Sequence, residues 1–356
     1  MRLKPLIFMS LFFLLLPLAY AQCVVPYEDM VINTSTTFCG GTYYLNDTNQ
    51  NGVVIINASN LVLDCNASVF IGNNTTDSKF IYSDIPITNV TIVNCEAEGY
   101  YEGIVFYNTT DSLLVRNHSL NVAKYGVVVK EGGSEVTIEK VTVFINGLVD
   151  KGMVPIGVID VENAIIRNNS VDMVVGDEIY TNGIAIKGDS RGVKVIGNEI
   201  YNTTNIGLDV GGGSYHEIIN NTIVSYCGHG VSIYSYSRNV SDIYFYNNHI
   251  EGNPAVYISV MKDGWYLKNV TFESDEIIVL DKNITELEQK YSLNQGWFQA
   301  SGITTEIPMA ASAEPVENLT IKSSNIKGVE YGLSLGNAKS VLIDNSKIWD
   351  VTYGIA

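Results

Sequence analysis

Cations are scarce in this sequence. Its 21 Lys and Arg face 38 Asp and Glu, leaving a formal charge of −17 over 356 residues. That balance argues against nucleic acid as a partner, because little could neutralise a phosphate backbone. Soft metal ligands are few as well: the 4 His (His118, His216, His229, His249) occur singly and the 7 Met do not cluster. No metal and no cofactor is therefore expected. Neither a GxxxxGK[ST] loop nor a strand-linked GxGxxG is found, which speaks against nucleotide chemistry. Charged residues make up only 17% and hydrophobic residues 46%, so the chain is neither an acidic disordered polymer nor a coiled coil.

Long apolar runs are also missing, with one exception. Arg2 and Lys4 precede an apolar stretch from Leu6 to Leu18, and Ala19-Tyr20-Ala21 follows. A basic start, an apolar centre and an A-x-A site describe a signal peptide over 1–21, with Gln22 opening the mature chain. The stretch is too short for a membrane span, which needs about 20 apolar residues. The expectation is an exported protein, secreted or at the cell surface, with no transmembrane anchor.

What the sequence has is repetition. A short apolar strand followed by Asn-rich punctuation recurs as NVTIVNC (Asn89 to Cys95), AIIRNNSV (Ala164 to Val171), EIINNTI (Glu217 to Ile223), IYFYNNHI (Ile243 to Ile250) and VLIDNSKI (Val341 to Ile348). Between these falls a glycine followed by alternating apolar residues, at Gly103, Gly126, Gly157, Gly183, Gly207, Gly230, Gly332 and Gly354. A period of this length holding two or three alternating strands, without recurring hairpin signals, cannot build an ordinary sandwich. It predicts an all-β chain: a single parallel β-solenoid, each repeat one coil stacked at ~4.8 Å on the last. The repeated Asn suits the turns, where it tolerates left-handed backbone and can stack its amides; Asn168 and Asn220 are expected in such ladders.

These N-V-T-I-x-N-N-x-I and Y-G-I/V/L units resemble the repeats of right-handed parallel β-helix proteins, the pectin-lyase-like class that includes pectate lyases, polygalacturonases and NosD-type periplasmic proteins. The stretch from Thr36 to Asn66 is similar to the cap and first coil of exported microbial, especially archaeal, members. The resemblance implies an N-terminal cap over 22–50, coils over 51–284 and 316–356, and a loop thrown out over 285–315. No closing cap follows the last coil, so the expectation is either a truncated chain or an end that pairs with another molecule, self-association included.

Five cysteines in an exported chain allow at most two internal disulfides. Cys23 and Cys39 bracket the short cap and are expected to pair. Cys65 and Cys95 occupy equivalent turns of successive coils, where a disulfide and a ladder of thiols both remain open; Cys227 reads as a small core residue. The sequence carries 16 Asn-X-Ser/Thr sites, many written by the repeat itself; Asn46, Asn74, Asn108, Asn202 and Asn239 are the better candidates for glycosylation.

Chemistry has fewer candidates. Gly228-His229-Gly230-Val231-Ser232-Ile233 resembles the G-H-G-x-S-I segment of polygalacturonases, in which an N-T-D segment and an Asp pair supply acid and base. Here Asn182 stands where the first Asp belongs, Asn205 and Ile206 replace the pair, and Tyr257-Ile258-Ser259 replaces a cationic R-I-K clamp. Only His229 remains of that set. Independently, alternation after each glycine turns Ala185, Asp209 and Ser232 outward on successive coils, so His229, Asp209, Lys187 and Asp189 would line one groove as an acid/base set or as a solvated polar face. Tyr234, Tyr236, Tyr244, Tyr246, Tyr257 and Trp265 crowd into two coils and offer flat surfaces for sugar rings; Tyr244 and Tyr246 must share a face.

The leading expectation is a surface protein that binds or presents a polysaccharide or cell-surface glycan without catalysis. Two others stand beside it: a polysaccharide hydrolase or lyase using His229 and Asp209, and an adhesive rod assembling through its C-terminal end.

Overall fold

In the computed structural model the described residues are 23–146, 152–173, 181–226, 228–262, 264–280, 301–305, 314–328 and 330–356. The expected signal peptide, Cys227 and most of the expected loop lie outside them. All assigned elements are strands and every pairing between them is parallel, from Met30↔Val54 at one end to Leu333↔Ile355 at the other.

Each coil contributes one strand to each of three ladders. One coil reads Asn182–Lys187, Lys194–Ile196 and Glu199–Thr203 before the chain returns to the first ladder at Ile206–Gly211. Inward residues then stack on like residues. In the first ladder Ile184, Leu208, Val231, Val256, Ile303 and Leu333 are in register. In the second, Ile138, Ile166, Val195, Ile218, Phe245 and Phe272 are. In the third, Val143, Val171, Ile200, Ile223, Ile250 and Ile277 are. All of these are buried. The repeat glycine has a packing cause: a Cβ on Gly183 would lie 2.4 Å from Ile200 Cγ2 and 2.4 Å from the Gly207 carbonyl, so first-ladder backbone passes directly against a third-ladder side chain.

The turn between the second and third ladders carries a continuous column of side chains. Asn169, Asn198, Asn221 and Asn248 are buried there, and each Oδ1 accepts the backbone N–H of its counterpart one coil earlier, at 2.9–3.0 Å. Each Nδ2 donates in turn to a second-ladder carbonyl, as Asn198 does to Ile166 at 2.9 Å. His118 fills the same role for Cys95 N–H through Nδ1 at 3.3 Å, and Ser324 and Ser346 fill it near the other end. The buried ladder thus holds Asn169 and Asn221 and not Asn168 and Asn220, although Asn220 Oδ1 accepts from Asn247 Nδ2 at 2.8 Å in an exposed amide stack. Asn168 and Asn220 take the left-handed backbone, with φ of 54° and 55°, and turn their amides outward.

Two further expectations change in detail. Gly157 lies in register with Val128 and Ala185, not with the other repeat glycines. Ser301–Thr305, inside the stretch expected to be loop, is a first-ladder strand between Val256–Val260 and Tyr331–Leu335. Both cysteine pairs are disulfides: Cys23–Cys39 ties the cap and Cys65–Cys95 joins consecutive coils, with Cα atoms 4.7 and 4.9 Å apart.

One rung of the column is charged. Asp275 stands where its neighbours are Asn; Oδ1 accepts from Asn248 N and Nδ2 at 2.8 and 2.9 Å, and Oδ2 is buried without a partner among the described residues. Burial pushes its carboxyl up from 3.8 to about 7, against the pull of those hydrogen bonds. Between those values the folded chain holds a proton that the unfolded chain has released, so stability falls as pH rises through the window and levels off above it. At ~1.4 kcal/mol for each tenfold change in proton affinity, the ionised rung weakens the fold by a few kcal/mol. Asp275→Asn, whose Nδ2 would face the Phe245 carbonyl, is expected to raise the melting temperature at pH 8 and to flatten its dependence between pH 4 and 7. A wild-type melting temperature that climbs across that window would refute the assignment.

Candidate functional site

The strands of the first ladder place one set of residues outward, and register collects them into columns. Ala185, Asp209, Ser232 and Tyr257 form one such column, as the alternation after the glycines requires. It is not a solvated face: Asp209 is fully buried and His229 is 3% exposed. Asp209 Oδ2 accepts from Asn182 Nδ2 at 2.5 Å and pairs with Lys187 Nζ at 2.7 Å, while Oδ1 has no partner among the described residues. Lys187 also donates to the Tyr234 hydroxyl at 3.1 Å.

Reaching from Lys187 to Tyr234 means crossing the intervening coil, and the sequence leaves room for it. Gly211 is the in-register neighbour of Lys187, and a Cβ there would come 2.9 Å from the Tyr234 hydroxyl. Burial opposes the charge on Lys187, but Asp209 and Tyr234 outweigh it and raise its pKa above the ordinary lysine value. Burial, followed by the charge on Asp209, pushes the Tyr234 phenol up to about 12. At neutral pH Lys187 is therefore an ammonium and Tyr234 a neutral phenol, and neither is a base.

The other members of the expected acid/base set are placed differently. His229 stacks on Tyr257 with centroids 4.7 Å apart and 17° between planes. Asp189 is exposed in the turn after Lys187, where Arg238 Nε meets its Oδ1 at 3.0 Å. Lys187 and Asp209 are brought together; Asp189 pairs elsewhere. Among the described residues no group of three or more His, Cys, Asp or Glu is placed to hold a metal ion. His249 is held between Glu251 and Glu276 at 2.7 and 2.8 Å; partial burial works against its charge, but the two carboxylates raise its pKa.

The expected aromatic stripe divides. Tyr244 and Tyr246 stack on one face of the second ladder at 6.1 Å, with the Tyr244 hydroxyl donating to Glu273 at 3.1 Å. Tyr234 and Tyr257 belong to the first ladder, Tyr236 is 59% exposed in the turn beyond it, and Trp265 is half-buried in the same turn region one coil on. Of the glycosylation candidates, Asn74 and Asn108 are exposed, Asn202 Nδ2 is held by Asp172 at 2.7 Å, Asn239 Oδ1 accepts from Tyr266 N–H at 3.0 Å, and Asn46 is half-buried.

A second group on the first ladder does not stand out in the sequence. Lys79, Glu102 and Tyr125 are in register on successive coils, and Tyr107 is in register with Lys130. Lys130 Nζ lies 4.4 Å from the Tyr125 ring centre and 5.2 Å from that of Tyr107. Lys124 Nζ lies 4.8 Å from Tyr125 and 5.2 Å from Tyr101, and Lys79 lies 5.4 Å from Tyr82. Several other lysines meet carboxylates, as in Lys194–Glu217 at 2.9 Å or Lys322–Glu273 at 3.0 Å, while Lys268, Lys327 and Lys347 also lie over rings. Here three ammonium groups lie over rings. The nearest acid, Glu102, is itself buried, and burial raises its pKa although Lys79, Lys130 and Lys124 pull the other way. One signal could have found the group: Glu102 and Tyr125 stand immediately before repeat glycines, as His229 and Asn182 do.

Residues 182–356 match the family model described as the right-handed β-helix region. No curated protein matches the chain in sequence. Among solved structures it is similar to the A-module of the Azotobacter vinelandii mannuronan C-5 epimerase AlgE4, with TM-score 0.69 and 13% identity over 91% of this chain and 89% of that one. It is also similar to PfbA, a surface adhesin of Streptococcus pneumoniae, with TM-score 0.64 and 12% identity over 90% of this chain and 84% of that one. A point mutant of the periplasmic alginate epimerase AlgG gives TM-score 0.50 and 15% identity over 91% of this chain and 70% of that one. At such identities the likeness is one of fold. With its parallel ladders in register from end to end and the family model covering residues 182–356, the chain is a right-handed parallel β-helix protein.

Proposed function

We propose that this protein is an exported β-helix that binds an acidic glycan along the outward face of its first ladder and leaves it chemically unchanged. The observation that carries the reading is the group of Lys79, Lys124 and Lys130 set over Tyr82, Tyr101, Tyr107 and Tyr125. Tyrosine rings present flat apolar surfaces with a polar tip, suited to the faces of sugar rings. Lys124 and Lys130, which form no ion pair with a carboxylate among the described residues, remain available to anionic substituents. Disulfides and a periplasmic or surface setting for similar folds are compatible with export.

The state of the Asp209 cluster supports binding without catalysis. Polysaccharide hydrolysis needs two carboxyls facing one bond across ~5–10 Å. Asp209 is spent on Lys187 and Asn182, and Asp189 on Arg238. The competing reading, a hydrolase, lyase or epimerase, draws on one structural neighbour being a mannuronan C-5 epimerase and on His229 beside Tyr257.

The test is incubation of the purified protein with polygalacturonate, alginate and a neutral glucan, following binding and product together. Retention of the acidic polymers without product is expected, weakened by salt, and reduced about tenfold or more in a Lys124→Ala/Lys130→Ala double variant. Product that disappears in His229→Ala would replace this reading by an enzymatic one, and indifference to all three polymers would end it. Lys187→Met serves as the structural comparison. It leaves Asp209 as a buried unpaired carboxylate, so a loss of ~3–5 kcal/mol in stability is expected, with polymer binding per folded molecule unchanged.

A further inference from the structure

The few arginines of the described chain fall into two pairs with opposite outcomes. Arg116 and Arg167 both reach Glu139, a buried carboxylate, at 3.7 and 2.5 Å. Arg191 and Arg238 instead line a cavity of about 150 Å³ in the turn that follows the first ladder, together with Asp189, Ser214, Trp265 and Tyr266. It spans several coils, since Arg191 bridges to Ser214, Ser214 is in register with Ser241, and Ser241 with Lys268.

In the first pair one carboxylate is shared by two guanidinium groups. In the cavity the one lining carboxylate, Asp189, meets Arg238 but not Arg191. Asp189 engages only Arg238 Nε, and Arg238 Nη1 donates to the Ser237 carbonyl at 2.8 Å, leaving Nη2 without a protein partner among the described residues. Arg191 is exposed and makes no side-chain ion pair or hydrogen bond among them. Glu162, its backbone neighbour on the preceding coil, is exposed and does not pair with it. Lys268 adds a further cation, its Nζ 4.5 Å from the Tyr266 ring centre. Nearby Asp242 is already held by Ser241 and Asn269, and Glu317 by Lys339. Of the two guanidinium groups that line the cavity, Arg191 meets no carboxylate among the described residues.

We infer that this turn cavity is a second binding site, distinct from the lysine–tyrosine face, that takes a single uronic acid residue. The sugar carboxylate meets Arg191 and the free Nη2 of Arg238, and the ring lies against Trp265 and Tyr266. A guanidinium presents its donors in a planar fork that matches a carboxylate, whereas a bare hydroxyl would leave that charge unanswered. The aromatic pair supplies what a simple anion site lacks, a flat apolar surface for the pyranose face. At about 150 Å³ the cavity suits one sugar ring, while the face on the earlier coils engages a polymer.

The experiment is a calorimetric titration of the whole protein with methyl β-glucuronoside, methyl β-glucoside and inorganic sulfate. Saturable binding of the glucuronoside is expected, at least about tenfold tighter than the glucoside, and lost by a similar factor in both Arg191→Gln and Trp265→Ala. Arg191 holds no other group, so Arg191→Gln is expected to melt with the wild type. The Lys124→Ala/Lys130→Ala variant should bind the glucuronoside normally, which separates failure here from failure of the polymer-binding face. Equal affinity for the glucoside, sulfate binding as tight as the glucuronoside with Trp265→Ala silent, or no saturable binding would each overturn the inference.

Discussion

The column at the second turn is the contact on which the solenoid depends. Every coil must reverse direction there, which exposes backbone N–H groups at a point too crowded for water. From Val141 onward a side-chain acceptor from the next coil meets each one: Asn198 Oδ1 receives Asn169 N–H, Asn221 receives Asn198, Asn248 receives Asn221. Leaving such a donor unmet costs ~1–3 kcal/mol, and the bond is made between coils rather than within one. It therefore sets the vertical register as well as the turn. A slip of one residue would break the column and reverse every side chain on the strands either side.

Register fixed at one corner is inherited by the outward columns at another. Lys187, Gly211 and Tyr234 act together only because they fall at the same height on successive coils, and the missing side chain of Gly211 is what lets the phenol reach the ammonium. Lys130 lies between Tyr107 and Tyr125 for the same reason. The functional surfaces thus follow from a turn that takes no part in them. This division suits a fold used by an epimerase module and by an adhesin: the core is specified by repeats, and the outward positions are free to vary.

The architecture is legible because period, alternation and turn asparagines all agree, and packing has only one way to satisfy them. Errors arise where one signal stands for two positions. In an Asn-Asn pair both residues look alike, yet the first takes the left-handed backbone and the second turns inward, so Asn168 and Asn169 exchange expected roles. Gly157 falls out of line because Pro155 occupies the place opposite Gly126, whose added Cβ would meet the Pro155 carbonyl at 2.4 Å. Ser301–Thr305 escapes the repeat because the preceding first-ladder strand carries Ala255 in place of a repeat glycine and a long segment intervenes. The site is less legible than the fold. Alternation states which way Asp209 points relative to the core, not whether anything lies over it, and its complete burial changes it from an acid candidate into the anchor of a lysine.

Charge gives the remaining distinction. In an acidic chain a cation finds a carboxylate by default, and many lysines here do, including the buried pair at Asp209. Sites where cations and carboxylates fail to meet therefore carry more information than the total. The lysines on the earlier coils are held over rings, and Arg191 is held by nothing among the described residues, although Glu162 stands beside it in the backbone ladder. Solvated lysine alone would be unremarked, since exposed ion pairs contribute little to stability. Cations backed by aromatic surface are a different case, because the rings bring apolar area that water does not satisfy and a sugar face does. Cations set against rings occur on the earlier coils, at the turn cavity and again where Lys327 and Lys347 lie over Trp349; for the first two the proposed occupant is an anion attached to a flat ring.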